Sequence, residues 1–198
     1  EKLTLTGTSA TIGTGNALVN ILTGNSAANI LDGGAGGDTM IGGLGDDIYI
    51  VENTADVVTE AASAGTDLIK SSVTYTASNN VENLILTGTI AINATGNALA
   101  NNLTGNSAAN LLDGGTGADT LAGGAGDDTY MVDDSLDVVV EAASEGTDRV
   151  VSSVGHSLSA NVEQLVLTGS ADLNGGGNSL ANRITGNSGS NVLDGGAG

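Results

Sequence analysis

The sequence predicts an all-β fold of stacked coils, in which very short strands are joined by tight, glycine-rich turns. Three observations lead there. First, a nonapeptide period runs through Gly114–Val140, read as GGTGADTLA, GGAGDDTYM and VDDSLDVVV, with an apolar residue at each eighth place (Leu121, Tyr130, Val139). One inward residue in nine suits a strand of about three residues followed by a turn of about six. A helix would need apolar residues every three or four places. Second, the 198 residues include 32 Gly and three Tyr but no Pro, Cys, Trp or Phe, so the core is thin and lined by Leu, Ile and Val. Third, residues 15–95 and 96–176 align without a gap, with 49 of 81 positions identical, and repetition at a fixed period is the signature of stacked architectures.

Taken in order, residues 1–14 read as the tail of a preceding repeat unit, 15–95 and 96–176 as two full units, and 177–198 as the start of a truncated third. Glu1, Glu82 and Glu163 open the corresponding segments KLTLTG, NLILTG and QLVLTG. The chain is thus expected to be a piece of a longer array. The first 45 residues of a unit divide into five nonapeptides, whose eighth places hold Leu22, Leu31, Met40, Tyr49 and Val58, then Leu103, Leu112, Leu121, Tyr130 and Val139. The other 36 residues, 60–95 and 141–176, keep the length and lose the pattern: the eighth places would fall on Asp67, Thr76, Ile85 and Ala94. Alternation fits this block better. Ile69, Ser71, Val73 and Tyr75 share one face of a longer strand, a turn follows at Ser78–Asn80, and Leu84 and Leu86 point inward from a second, half-buried strand.

Net charge is −19, from 23 acids against four bases. That excludes nucleic acid and anionic membranes as partners and favours divalent cations wherever the acids cluster. No apolar run is long enough for a transmembrane segment. The acids do cluster: Asp38, Asp47, Asp56, Asp119, Asp128 and Asp137 all hold the sixth place of a nonapeptide, two residues before an apolar one. With two nonapeptides per coil, turns eighteen residues apart stack. Asp38 then lies over Asp56 and Asp119 over Asp137, while on the opposite edge Asp47 faces Asn29 and Asp128 faces Asn110. Calcium is a hard cation that takes six to eight oxygens, so carbonyls plus carboxylates suit it. In the two nonapeptides before these, the sixth place is Asn (Asn20, Asn29, Asn101, Asn110). Asn supplies an oxygen without charge, which leaves two alternatives: a weaker metal site, or a metal-free hydrogen-bonded ladder.

GGAGGDTMI, GGLGDDIYI, GGTGADTLA and GGAGDDTYM resemble the nonapeptide of RTX proteins, the haemolysin-type calcium-binding repeat. The resemblance implies a parallel β-roll or β-solenoid, with RTX turns alternating here with the longer β-strand segments. It implies calcium held between successive turns by the sixth-place Asp residues and by backbone carbonyls at the second and fourth places: Gly34, Gly36, Gly43, Gly45, Gly115, Gly117, Gly124 and Gly126. It also implies a secreted bacterial protein, exported by a type I system, unfolded at low cytosolic calcium and folding outside. The expected function is a structural repeat segment of a large secreted or cell-surface protein of adhesin, S-layer or matrix type. Its partners are calcium ions and neighbouring repeat units, with self-association or contact with a cell surface or matrix left open. The alternative is the folding and secretion module of an exported protease, lipase or epimerase. No enzyme is expected within these residues, because the single His, His156, is replaced by Tyr75 in the preceding unit.

Overall fold

A computed structural model describes all of residues 1–198. The chain is an all-β parallel solenoid of 22 strands, two to a coil, in about eleven coils and without a helix. Nonapeptide strands pair with strands eighteen residues on: Leu22 lies beside Met40, Leu31 beside Tyr49 and Leu103 beside Leu121. One coil is therefore two nonapeptides, as the stacking argument requires.

The coil has two faces. One carries an eight-stranded sheet from Thr11–Thr14 to Val138–Val140, then a three-stranded sheet from His156–Ser157 to Val192–Asp194. The other carries a four-stranded sheet from Lys2–Thr4 to Val57–Thr59, then a seven-stranded sheet from Tyr75–Thr76 to Arg183–Thr185. Between the faces runs one continuous core of 25 buried side chains. The eighth-place residues form its spine, each dropped inward by the two-residue alternation of a strand. Tyr49 and Tyr130 are as deeply buried as the aliphatic residues, so the core is not purely aliphatic.

The 36-residue block continues the winding with strands Leu68–Ser71, Tyr75–Thr76, Asn83–Leu86 and Ala94–Asn97. The longer strand expected across Ile69–Tyr75 is instead two short ones on opposite faces. The chain turns the corner at Ser72–Thr74 because buried Ser71 bonds locally: its Oγ donates to Val73 O at 2.7 Å and accepts the Val73 N–H at 3.2 Å. Ile69, Ser71 and Tyr75 all point inward as expected. The turn at Ser78–Asn80 also forms, closed by Val81 N–H donating to Ser78 O at 3.3 Å, and Leu84 and Leu86 are buried after it.

Two irregularities bear on the site. No strand pairing joins Val57–Thr59 to Tyr75–Thr76, the next strand on the same face, and the same gap lies between Val138–Val140 and His156–Ser157. Residues 81 apart also change faces. Thr39–Ile41 belongs to the four-stranded sheet, whereas Thr120–Ala122, nine strands later, belongs to the eight-stranded sheet opposite.

Candidate metal centres

All eight glycines expected at the second and fourth places have positive φ: Gly34, Gly36, Gly43, Gly45, Gly115, Gly117, Gly124 and Gly126. Gly115 shows why no other residue serves. Its φ is +81°, and a Cβ there would stand 2.5 Å from the carbonyl oxygen of Asn97, in the turn beneath. The left-handed backbone and the close approach of stacked turns both demand a missing side chain.

The sixth-place residues form ladders along the two edges of the coil. On one edge the Asn20 N–H donates to Asp38 Oδ1 at 2.7 Å, and the Asp38 N–H donates to Asp56 Oδ1 at 2.9 Å. On the other, the Asn29 N–H donates to Asp47 Oδ1 at 2.6 Å. The later copies repeat this: Asn101 to Asp119 at 2.7 Å, Asp119 to Asp137 at 2.9 Å and Asn110 to Asp128 at 2.7 Å. All four stackings expected from the sequence are thus made. What each carboxylate does with its second oxygen differs. Oδ2 of Asp38, Asp47, Asp119 and Asp128 is buried without a hydrogen-bond partner, a costly state for an anion inside a protein. Oδ2 of Asp56 accepts the N–H groups of Glu52 and Asn53, and that of Asp137 accepts those of Asp133 and Asp134. Those two Asp have both oxygens engaged.

The Asn turns make a hydrogen-bonded ladder. Asn101 Oδ1 accepts the Asn97 N–H of its own turn at 2.7 Å, while its Nδ2 donates to Val81 O at 2.9 Å. Asn110 does the same with Asn106 N–H at 2.8 Å and Ile92 O at 2.6 Å. Asn20 and Asn29 close their turns on Asn16 and Asn25. These amides are satisfied by the chain itself.

Residues outside the nonapeptides complete two further clusters. Asp47, Glu60 and Asp67 are all buried, with a carboxylate oxygen of each within 4.8 Å of the others, and Asp128, Glu141 and Asp148 form the equivalent group. Asp67 continues the edge ladder: its Oδ1 accepts the Asp47 N–H at 2.8 Å, and its own N–H donates to Glu82 Oε2 at 2.9 Å. Tyr49 Oη donates to Glu60 and Tyr130 Oη to Glu141. Burial pushes Glu60 up to about 7, helped by the charges of Asp67 and Asp47 and opposed by the Tyr49 hydrogen bond. Burial, then the charges of Asp148 and Asp128, pushes Glu141 up to about 8. Asp47, Asp119 and Asp128 rise to about 6, again chiefly by burial. At an effective dielectric of about 20, two like charges 4.8 Å apart repel by roughly 3 kcal/mol. Three such pairs rival the whole stability of an ordinary domain, about 5–15 kcal/mol, so a fully ionised triad requires counter-charge.

The sequence reading named Asp47 and Asp128 and missed Glu60, Asp67, Glu141 and Asp148. They sit in EAASAGTD and EAASEGTD, whose eight-residue turns shift Asp67 and Asp148 off the nonapeptide count. The available signal was that both acids stand unchanged in the two copies of that segment.

The family model of the RTX calcium-binding nonapeptide repeat (four copies) matches residues 14–49, 95–130 and 176–198, just under half of the chain. These are RTX calcium-binding repeats. No curated protein and no solved structure matches the chain. The RTX match takes in the Asn turns as well as the four nonapeptides that carry the resemblance. It ends at Tyr49 and Tyr130, short of Asp56 and Asp137, the two Asp whose oxygens are already satisfied. The donor set of the RTX turns, buried carboxylate oxygens without partners in tight turns of left-handed glycine, fits calcium. Asp38, Asp47, Asp119 and Asp128 are the side chains that would hold it. The triads straddle the end of the RTX match, since only Asp47 and Asp128 lie within it.

Proposed function

We propose that this chain is a calcium-folded structural segment of a large secreted or cell-surface bacterial protein, of adhesin, S-layer or matrix type, with no catalytic role of its own. The observation that carries the reading is the set of partnerless oxygens on Asp38, Asp47, Asp119 and Asp128. A bound cation neutralises them, and without it the stacked turns hold unbalanced buried charge, so binding and folding are one event. The continuous core, unbroken from coil to coil, supports a rod in which each coil leans on its neighbours. RTX repeats are typical of secreted bacterial proteins, and extracellular calcium suits sites of this kind. A non-enzymatic role is supported by the one histidine, because Tyr75 stands at the place that matches His156 and no imidazole recurs from unit to unit.

Circular dichroism across a calcium titration tests the folding. A cooperative gain of β signal near millimolar calcium is expected, and an unchanged spectrum would sink the metal-coupled account. The sequence on either side tests the host: further copies support a structural array, whereas an upstream HExxH or GxSxG points to the secretion module of an enzyme.

A further inference from the structure

Where the nonapeptides give way to the 36-residue block, the turn between Val57–Thr59 and Leu68–Ser71 is two residues longer than an RTX turn. It still stacks on the turn below. Gly45 N–H donates to Ala64 O at 2.7 Å, and Thr66 N–H donates to Asp46 Oδ1 at 2.8 Å. The extra length lets both ends point inward, Glu60 from the start and Asp67 from the finish.

The space they enter is bounded by Gly42. A Cβ on Gly42 would collide at once with Asp47 Oδ2, Glu60 Oε1 and Tyr49 Oη. Three oxygens from two parts of the chain therefore converge on one atom-sized spot that carbon cannot fill. Gly123 marks the same spot in the second cluster, against Asp128 Oδ2 and Tyr130 Oη. The side chains are buried, with Asp47 1 %, Asp67 0 %, Asp128 1 % and Glu141 8 % exposed. Each keeps an oxygen with no hydrogen-bond partner.

We propose that Asp47–Glu60–Asp67 and Asp128–Glu141–Asp148 are cation sites in their own right, carboxylate-built and selective for a hard divalent cation of calcium's class. Their ligand set is unlike that of the RTX turns, which offer one carboxylate among carbonyls. Three carboxylates and no nitrogen or sulfur exclude softer metals, and a higher ligand charge gives tighter binding. The triads therefore fill before the RTX turns. Their position gives them a structural task. Each lies at the turn that follows a strand with no partner ahead of it on its face, Val57–Thr59 or Val138–Val140. An ion there ties the turn below to the turn above and staples the stack where its backbone ladder is interrupted. The inference rests on the calcium-dependent fold only in that Asp47 and Asp128 belong to both kinds of site.

Terbium(III), a hard lanthanide that enters oxygen sites, tests this when excited through tyrosine, since the chain has three Tyr and no Trp. Tyr49 and Tyr130 touch the triads, whereas Tyr75 Oη donates to Asp56 O at 3.1 Å, away from them. The expected result is that Y49F/Y130F loses most of the sensitised emission and Y75F keeps most of it. E60Q/E141Q is expected to move terbium half-saturation up by about tenfold and to bind two fewer calcium ions per chain at saturation, one for each triad. Emission that survives Y49F/Y130F and vanishes in Y75F overturns the proposal, as does an unchanged calcium count in E60Q/E141Q. If E60Q/E141Q does not fold, the tyrosine pair decides alone. Circular dichroism of the wild type, read in parallel, reports separately on calcium-dependent folding.

Discussion

The Asn turns and the Asp turns have the same length and stack in one register. The Asp turns are bent by left-handed glycines such as Gly115 and Gly117, where the Asn turns carry Asn97 and Leu99. Their sixth place offers a carboxylate oxygen in place of an amide NH2. At Asn101 that group is a donor and finds a carbonyl in the coil below, while the amide oxygen closes its own turn. At Asp119, one coil later, the first oxygen accepts from the Asn101 backbone and the second finds nothing. The Asn turn is complete with the groups of the chain itself, whereas the Asp turn holds a buried anionic oxygen that only a cation would balance. Two neutral turns followed by three charged ones recur along the solenoid, as fixed joints and calcium-set joints.

Protons break this difference most strongly. The raised carboxyls take up protons more readily in the folded chain than in the unfolded one, so calcium-free stability falls as pH rises. There is no penalty below the usual carboxylate range, near 4, and the penalty is complete above the about 8 of Glu141, with Asp47, Asp119 and Asp128 titrating near 6. In a chelator, β signal should therefore be greatest near pH 4–5 and weakest near pH 8, with calcium required only at the upper end. A calcium-free signal that grows with pH would contradict the assignment.

Substitution separates the two turns next. Asp119→Ala should raise the calcium midpoint of folding by about tenfold. Asn101→Ala should leave the number of bound ions unchanged and cost about 1–3 kcal/mol in the calcium-loaded form, read by chemical denaturation. Equal shifts in calcium midpoint would make the Asn turns full metal sites. Asp119→Asn sharpens the contrast by removing the charge and keeping the side chain's shape: fewer ions bound, and a calcium-free chain more stable by about 1 kcal/mol. The turn backbone is tested separately. Gly115→Ala should destabilise by about 1–2 kcal/mol for the left-handed φ, with the close approach of Asn97 O adding to it, in both calcium-loaded and acid-folded forms.

The coil was legible because each nonapeptide repeats one steric demand, glycine where turns touch and an apolar residue where the strand faces in. Leu22, Leu31, Met40 and Tyr49 could be placed by counting. Counting fails at Glu60–Asp67, because two extra residues move the acids off the grid while the stack absorbs the slack. It fails again at Ser71, where a hydroxyl bonding its own neighbours turns a corner that alternation alone reads as straight. Nor does pattern distinguish Asp38 from Asp56. The difference lies in whether Oδ2 meets the N–H groups of its own turn, and that depends on the turn's shape.

The change of face between residues 81 apart has a consequence for the stack. The eight-residue turn at 60–67 leads from the four-stranded face to the eight-stranded one, and that at 141–148 leads back the other way, so the two lie on opposite edges. The two surplus residues of each unit are thus taken up on alternate sides of the coil, and neither edge of the stack collects them all.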